Sequence, residues 1–132
     1  MSSPPLLPGR IGWVDLTVSD APRVRDFYIA VAGWTAQGLS MGDYEDFVML
    51  APDGTPQGGV CHARGTNEGV PAQWLVYITV TDLDARLEHV TALGGRIVRA
   101  PKSAGPSGRF AVIEDPAGAV CALFEPPATP VS

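Results

Sequence analysis

Leu16-Thr17-Val18-Ser19-Asp20 closes an alternating apolar run and opens a helix, and Ile78-Thr79-Val80-Thr81-Asp82 does the same again. The offset from Val18 to Val80 is 62 residues. A second echo links Gly58-Gly59-Val60-Cys61-His62-Ala63 to Gly118-Ala119-Val120-Cys121-Ala122-Leu123 at an offset of 60. A unit of about sixty residues that occurs twice is too long for a solenoid repeat. It reads as two copies of one module, so each position in one copy has a partner in the other.

Working outward from the first stretch, Trp13, Asp15 and Thr17 alternate with Val14, Leu16 and Val18, which is the period of a strand. Asp20 is placed to cap a helix, and Pro22 falls in the first turn, where its missing N–H costs nothing. Val24, Phe27, Tyr28 and Val31 recur at helical spacing, and Gly33 supplies the stop. Strands are expected around Trp34–Leu39, Asp46–Ala51 and Gly59–Ala63, with Asp53-Gly54 as a turn. Arg64 to Ala72 is polar, aperiodic and glycine-bearing, and reads as a linker.

The second copy repeats the plan. Gln73–Val80 alternates Leu75, Tyr77 and Thr79 with Val76, Ile78 and Val80. Asp82 caps a helix that turns Leu83, Leu87, Val90 and Leu93 inward and ends at Gly94-Gly95. Strands near Arg96–Ala100, Arg109–Glu114 and Ala119–Phe124 follow, with Asp115-Pro116-Ala117-Gly118 as a turn. The expectation is one domain over residues 1–132, built of a βαβββ module at 11–64 and another at 73–126.

Composition narrows the function classes. The 132 residues are 45% hydrophobic and 17% charged, with a net charge of −5. A chain of this size buries roughly 65–70% of its unfolded surface, enough for a core without staples. Lys and Arg form no cluster, which argues against nucleic acid or an anionic membrane as partner. No apolar run is long enough to span a bilayer. Met1–Gly9 has no charged segment leading an apolar run, so it does not read as a secretory leader. It carries Pro4, Pro5 and Pro8 and reads as a disordered or strand-like arm, and Pro126 to Pro130 as a frayed tail. Two cysteines in such a chain read as free thiols in a reducing cytoplasm.

Asp20 leading to Phe27-Tyr28 and Gly33-Trp34, and Gly108-Arg109-Phe110-Ala111-Val112 leading into Asp115-Pro116-Ala117-Gly118-Ala119, resemble the vicinal oxygen chelate superfamily. That group holds glyoxalases, extradiol dioxygenases, and fosfomycin and bleomycin resistance proteins, and the resemblance covers about Ile11 to Pro126. It implies an α+β fold in which the two modules form a curled, eight-stranded cup with the helices outside. It also implies four columns, one on the first and one on the fourth strand of each module, from which metal-using members draw ligands. Carried onto this chain, with the 60-residue echo as register, those columns fall at Trp13, His62, Leu75 and Ala122. Indole, isobutyl and methyl groups offer no donor, and one imidazole does not hold a divalent metal alone. The expectation is a site with no metal and no cofactor.

The candidate residues follow from the same register. His62 is the imidazole expected in the cup, as a hydrogen-bonding wall residue or a general base. Asp15, on a neighbouring strand, reads as its acid–base partner or as a plain structural pair. Trp13, Thr17, Phe47, Met49, Leu75, Tyr77, Phe110, Val112 and Ala122 are expected to line an apolar slot suited to a flat ligand, or else to fill the core. His89 reads as a solvated helix residue. Cys61 and Cys121 are expected on the opposite face, packed under the helices. Arg109 reads either as a contact for a ligand carboxylate or as a partner of Glu114 or Asp115.

These readings point to a cytoplasmic, homodimeric protein that binds a small, partly aromatic molecule in a metal-free cup, as the drug-sequestering members do. Two alternatives stand beside it. One is an enzyme, either a lyase or isomerase using Asp15 and His62 or a dioxygenase-type protein with a metal in a shifted register. The other is a protein whose cup is filled by side chains and which binds a partner.

Overall fold

A computed structural model describes residues 7–103 and 108–127, with the backbone alone at residue 66. The expectations for Pro4 and Pro5 in the first arm, and for residues 128–130 in the tail, lie outside the described residues. The chain divides into two compact units: Trp13–Leu75, and residues 7–12 with 76–127. Each carries the βαβββ plan, so the chain is an α+β protein made of two such modules.

In the first module β1 (Ile11–Val18), α1 (Ala21–Ala32), β2 (Thr35–Ser40), β3 (Glu45–Leu50) and β4 (Pro56–His62) follow in order. The strands lie side by side as β2-β3-β4-β1, with β1 parallel to β4 and the other pairs antiparallel. Asp20 Oδ1 accepts the Arg23 N–H at 3.2 Å, and Gly33 ends the helix at φ 73°, a left-handed conformation that suits glycine. Ala21, Val24 and Tyr28 pack onto Phe47, Met49 and Val60. Phe27 and Val31, which recur at the same helical spacing, are 56% and 66% exposed. The Tyr28, Trp34 and Trp74 rings lie 5.3 to 5.9 Å apart and fill the space at that end of the helix, and Phe27 lies edge-on against Tyr28 from outside.

The second module runs β5 (Trp74–Thr79), α2 (Leu83–Ala92), β6 (Arg96–Ser103), β7 (Arg109–Glu114) and β8 (Val120–Glu125), ordered β5-β8-β7-β6. Leu83, Leu87, Ala111, Ile113 and Leu123 form its core. Leu93, expected inward, is 73% exposed. The helix ends at Ala92, so Leu93 is its C-cap and no longer on the packed face. Asp82 Oδ1 accepts the Ala85 N–H, and Glu125 Oε2 accepts the Leu83 N–H at 2.8 Å, so two carboxylates satisfy the first turn. Gly9 donates to the Thr79 carbonyl and the Thr79 N–H donates to that of Arg10, which ties the end of the arm to β5.

Strand register corrects the alignment of the copies. Asp15 stands opposite Gly59, and Tyr77 stands opposite Ala122. Asp15 and Tyr77 are equivalent by the 62-residue offset, so the partner of Ala122 is Gly59 and not His62. The Gly-x-Val-Cys echo is therefore three residues out of true register. An odd slip inverts the pleat, because successive side chains on a strand point to opposite faces.

Candidate ligand face and the His62 cluster

The inversion redistributes the candidate residues. Register places Trp13, Asp15 and Thr17 of β1 on one face with Gly59 and Cys61 of β4 and with Asp46 and Val48 of β3. The other face, covered by α1, takes Leu16, Val60, Phe47 and Met49. Phe47 and Met49 are thus core residues under the helix, not lining residues beside Trp13. Cys61 moves the opposite way, onto the Asp15 face. Cys121 stays where it was expected, against the core beneath α2.

On the Asp15 face, the Trp13 indole Nε1–H donates to Asp15 Oδ1 at 2.6 Å. This bond fixes the ring of a partly exposed tryptophan and satisfies its single donor. Gly59 has no side chain there because Asp15 already fills the space: a Cβ on Gly59 would collide with the Asp15 carboxylate, with Cys61 Sγ 3.5 Å away. Burial, then the charges of Asp15 and Asp46 and a hydrogen bond to Asp46, push the Cys61 thiol far above its ordinary range. Burial and the two neighbouring carboxylates favour the protonated thiol of Cys61.

In the second module Tyr77, Val112 and Ala122 share a face with Phe110 and Thr79. Val112, Ala122 and Thr79 are buried, and the Tyr77 and Phe110 rings lie 6.0 Å apart. Leu75 is buried on its strand. Arg109 reaches neither Glu114 nor Asp115. Its Nε donates to Glu125 and its NH2 group to Asp84, both at 3.2 Å, while Arg96 takes Glu114. Glu125 is the carboxylate that also caps α2, which explains the choice. His89 lies exposed on α2, as expected.

His62 sits at the end of β4, where alternation puts it on the face opposite Asp15. The β3–β4 ladder ends at Phe47 and Val60, and Asp46 takes over from it. Asp46 Oδ1 accepts the His62 backbone N–H at 2.8 Å and lies 3.2 Å from ring Nδ1. The Asp46 residue is 4% exposed and the His62 side chain 15%. Tyr44 meets the imidazole edge-on at 5.2 Å, and Arg64 covers the Tyr44 ring while pairing with Asp43. The carboxylate that holds His62 is Asp46, a residue absent from the sequence-based candidates. Its signal was there: a charged residue inside a run, Asp46-Phe47-Val48-Met49-Leu50, that is otherwise apolar.

Two βαβββ modules, with Trp13 and Asp15 on the first strand, define a protein of the duplicated βαβββ class. Residues 10–123 match the model of the Glyoxalase/Bleomycin resistance protein/Dioxygenase superfamily, and the chain belongs to that superfamily. Among curated relatives, the anthracycline biosynthesis protein DnrV of Streptomyces peucetius is 32% identical over 129 residues, with 89% of this chain and 47% of the relative covered. The putative glyoxylase CFP32 of Mycobacterium tuberculosis is 30% identical over 118 residues, covering 89% and 44%. The chain therefore spans about half the length of these relatives. Among solved structures, a methylmalonyl-CoA epimerase from Mycobacterium tuberculosis superposes with a TM-score of 0.57 at 20% identity, covering 96% of this chain and 93% of that one. At that identity the likeness is one of fold.

The superfamily's metal-using members set a test of fit. In true register the four ligand columns hold Trp13, Gly59, Leu75 and Ala122, and none of these side chains donates an electron pair to a divalent ion. Among the described residues no group of three or more His, Cys, Asp or Glu is arranged to hold a metal. The residues present do not fit the family's metal.

Proposed function

We propose that the chain is a metal-independent member of its superfamily that binds a small, flat, aromatic molecule. The observation that carries this reading is the exchange at the first column: an indole stands there, braced by Asp15 at 2.6 Å, and the partner column is a glycine filled by that same carboxylate. A braced indole is a stacking platform that loses little conformational entropy when a ring settles on it. Two relatives are named for anthracycline biosynthesis, and anthracyclines are fused-ring compounds of the kind such a platform accepts. The test is titration of an anthracycline, followed by tryptophan fluorescence. Trp13→Ala is expected to weaken binding by about tenfold, the loss of one aromatic stack. Unchanged affinity in that variant overturns the reading.

A second reading is favoured by the Asp46–His62 pair: an enzyme that moves a proton on its ligand without a metal. NMR of the bound ligand in D2O tests it. Deuterium incorporation that stops in His62→Ala supports the enzyme, and none in the wild type removes it. We place the protein in the cytoplasm as a homodimer. No helix among the described residues is long and apolar enough to cross a membrane, and light scattering checks the dimer.

A further inference from the structure

We infer that Asp46 locks His62 in the Nδ1–H tautomer, so that Nε2 keeps its lone pair and is the ring's acceptor. The inference stands on hydrogen-bond inventory. Asp46 Oδ1 accepts the His62 backbone N–H at 2.8 Å, and that amide has no other role than donor. An oxygen engaged by an amide proton presents lone pairs, not a proton of its own. The same Oδ1 lies 3.2 Å from ring Nδ1. Two lone pairs at that distance would repel, so Nδ1 carries the proton. A neutral imidazole has one N–H, and Nε2 is then left with its lone pair.

The surroundings hold the ring in this state. A single oxygen grips both the backbone and the side chain of His62, which fixes the torsions between them. Tyr44 and Phe47 pack around the ring, with centroids 5.2 and 6.4 Å away. Arg64 is turned away, over Tyr44 and toward Asp43, so its charge does not compete for Asp46. Asp46 is therefore a positioning residue: it acts through His62. An acceptor nitrogen of this kind takes a phenol, an enol or an amide N–H, and it refuses a carboxylate, whose lone pairs it would face. The inference serves the proton-transfer reading but does not depend on it, because Asp46 sets the tautomer whether or not a proton moves.

The chain has two histidines, which makes the test clean. Two-bond proton–nitrogen correlation of 15N-histidine-labelled protein, at about pH 8.5 where an ordinary imidazole is neutral, reads each tautomer directly. His89→Gln assigns the remaining signals to His62. His62 is expected with its proton on Nδ1, and exposed His89 with the Nε2–H preference of free imidazole. Asp46→Ala removes the acceptor and is expected to move His62 to the His89 pattern. Asp46→Asn keeps a neutral acceptor oxygen and is expected to show a mixture. A wild-type His62 with its proton on Nε2 overturns the inference, whatever the variants do. So does an Nδ1–H signal that survives in folded Asp46→Ala. A locked His62 with no deuterium exchange on bound ligand removes the enzymatic reading and leaves the lock in place.

Discussion

At Gly59 one missing side chain decides what its neighbours do. The space above it belongs to the Asp15 carboxylate, which in turn braces Trp13. Gly59→Ala is therefore expected to break the Trp13–Asp15 bond and to cost about 1–3 kcal/mol, the usual range for overpacking. Urea denaturation measures the stability, and a shift in Trp13 emission reports the bond. An unperturbed spectrum contradicts the arrangement. Cys61 gives a pH prediction with a definite sign. Its folded-state affinity for the proton is raised by burial and two carboxylates, whereas the unfolded thiol ionises near its ordinary value. The stabilisation is fully present below about pH 9 and is lost as pH rises above it, by up to about 1.4 kcal/mol per pH unit. Cys121 is shifted the same way by burial, so the full alkaline slope belongs to both thiols. Cys61→Ala is expected to flatten that slope, and an equally steep fall in the variant would show that Cys61 is not its source.

Among the elements, the two helix starts were legible and the fourth strand of the first module was not. Asp20 and Asp82 announce their helices because capping is a local affair, read from three or four residues. Strand register is not local. It depends on loop lengths far away, and a motif echo such as Gly-Val-Cys can mislead when the copies differ by a few residues. That is why β4 was read on the wrong face, why His62 was set in the column of Ala122, and why Phe47 and Met49 were placed beside Trp13. In the second module the Asp115 turn fixes β8 directly, and the faces of its neighbours follow by alternation. Asp46 escaped notice because its partner is a strand end, where a side chain replaces a backbone bond. Glu125 shows the same economy in the other copy: it caps α2 and holds Arg109. Glu125→Ala leaves the Leu83 N–H and the guanidinium short of partners. It is expected to destabilise by about 1–3 kcal/mol in thermal or urea unfolding. Arg109→Ala, which keeps the cap, is expected to cost less. Equal costs would mean that the cap contributes nothing.

On the scale of the whole molecule, both modules keep the βαβββ frame, and the positions that the family resemblance marks for metal ligands carry no donor side chain. The family's columns are present, in register, and occupied by an indole, a glycine, an isobutyl and a methyl group. What remains is aromatic surface, two buried or half-buried carboxylates and one oriented imidazole. The indole and its Asp15 brace stand on one face of the first module's strands, and the imidazole at the end of β4 stands on the other. The central claim is that ligand binding needs no metal, and one titration tests it most directly: an anthracycline added to protein dialysed against EDTA, with tryptophan fluorescence as the signal. The expected result is the same Kd before and after dialysis. Binding that disappears on dialysis and returns with zinc, manganese, nickel or iron would contradict the account.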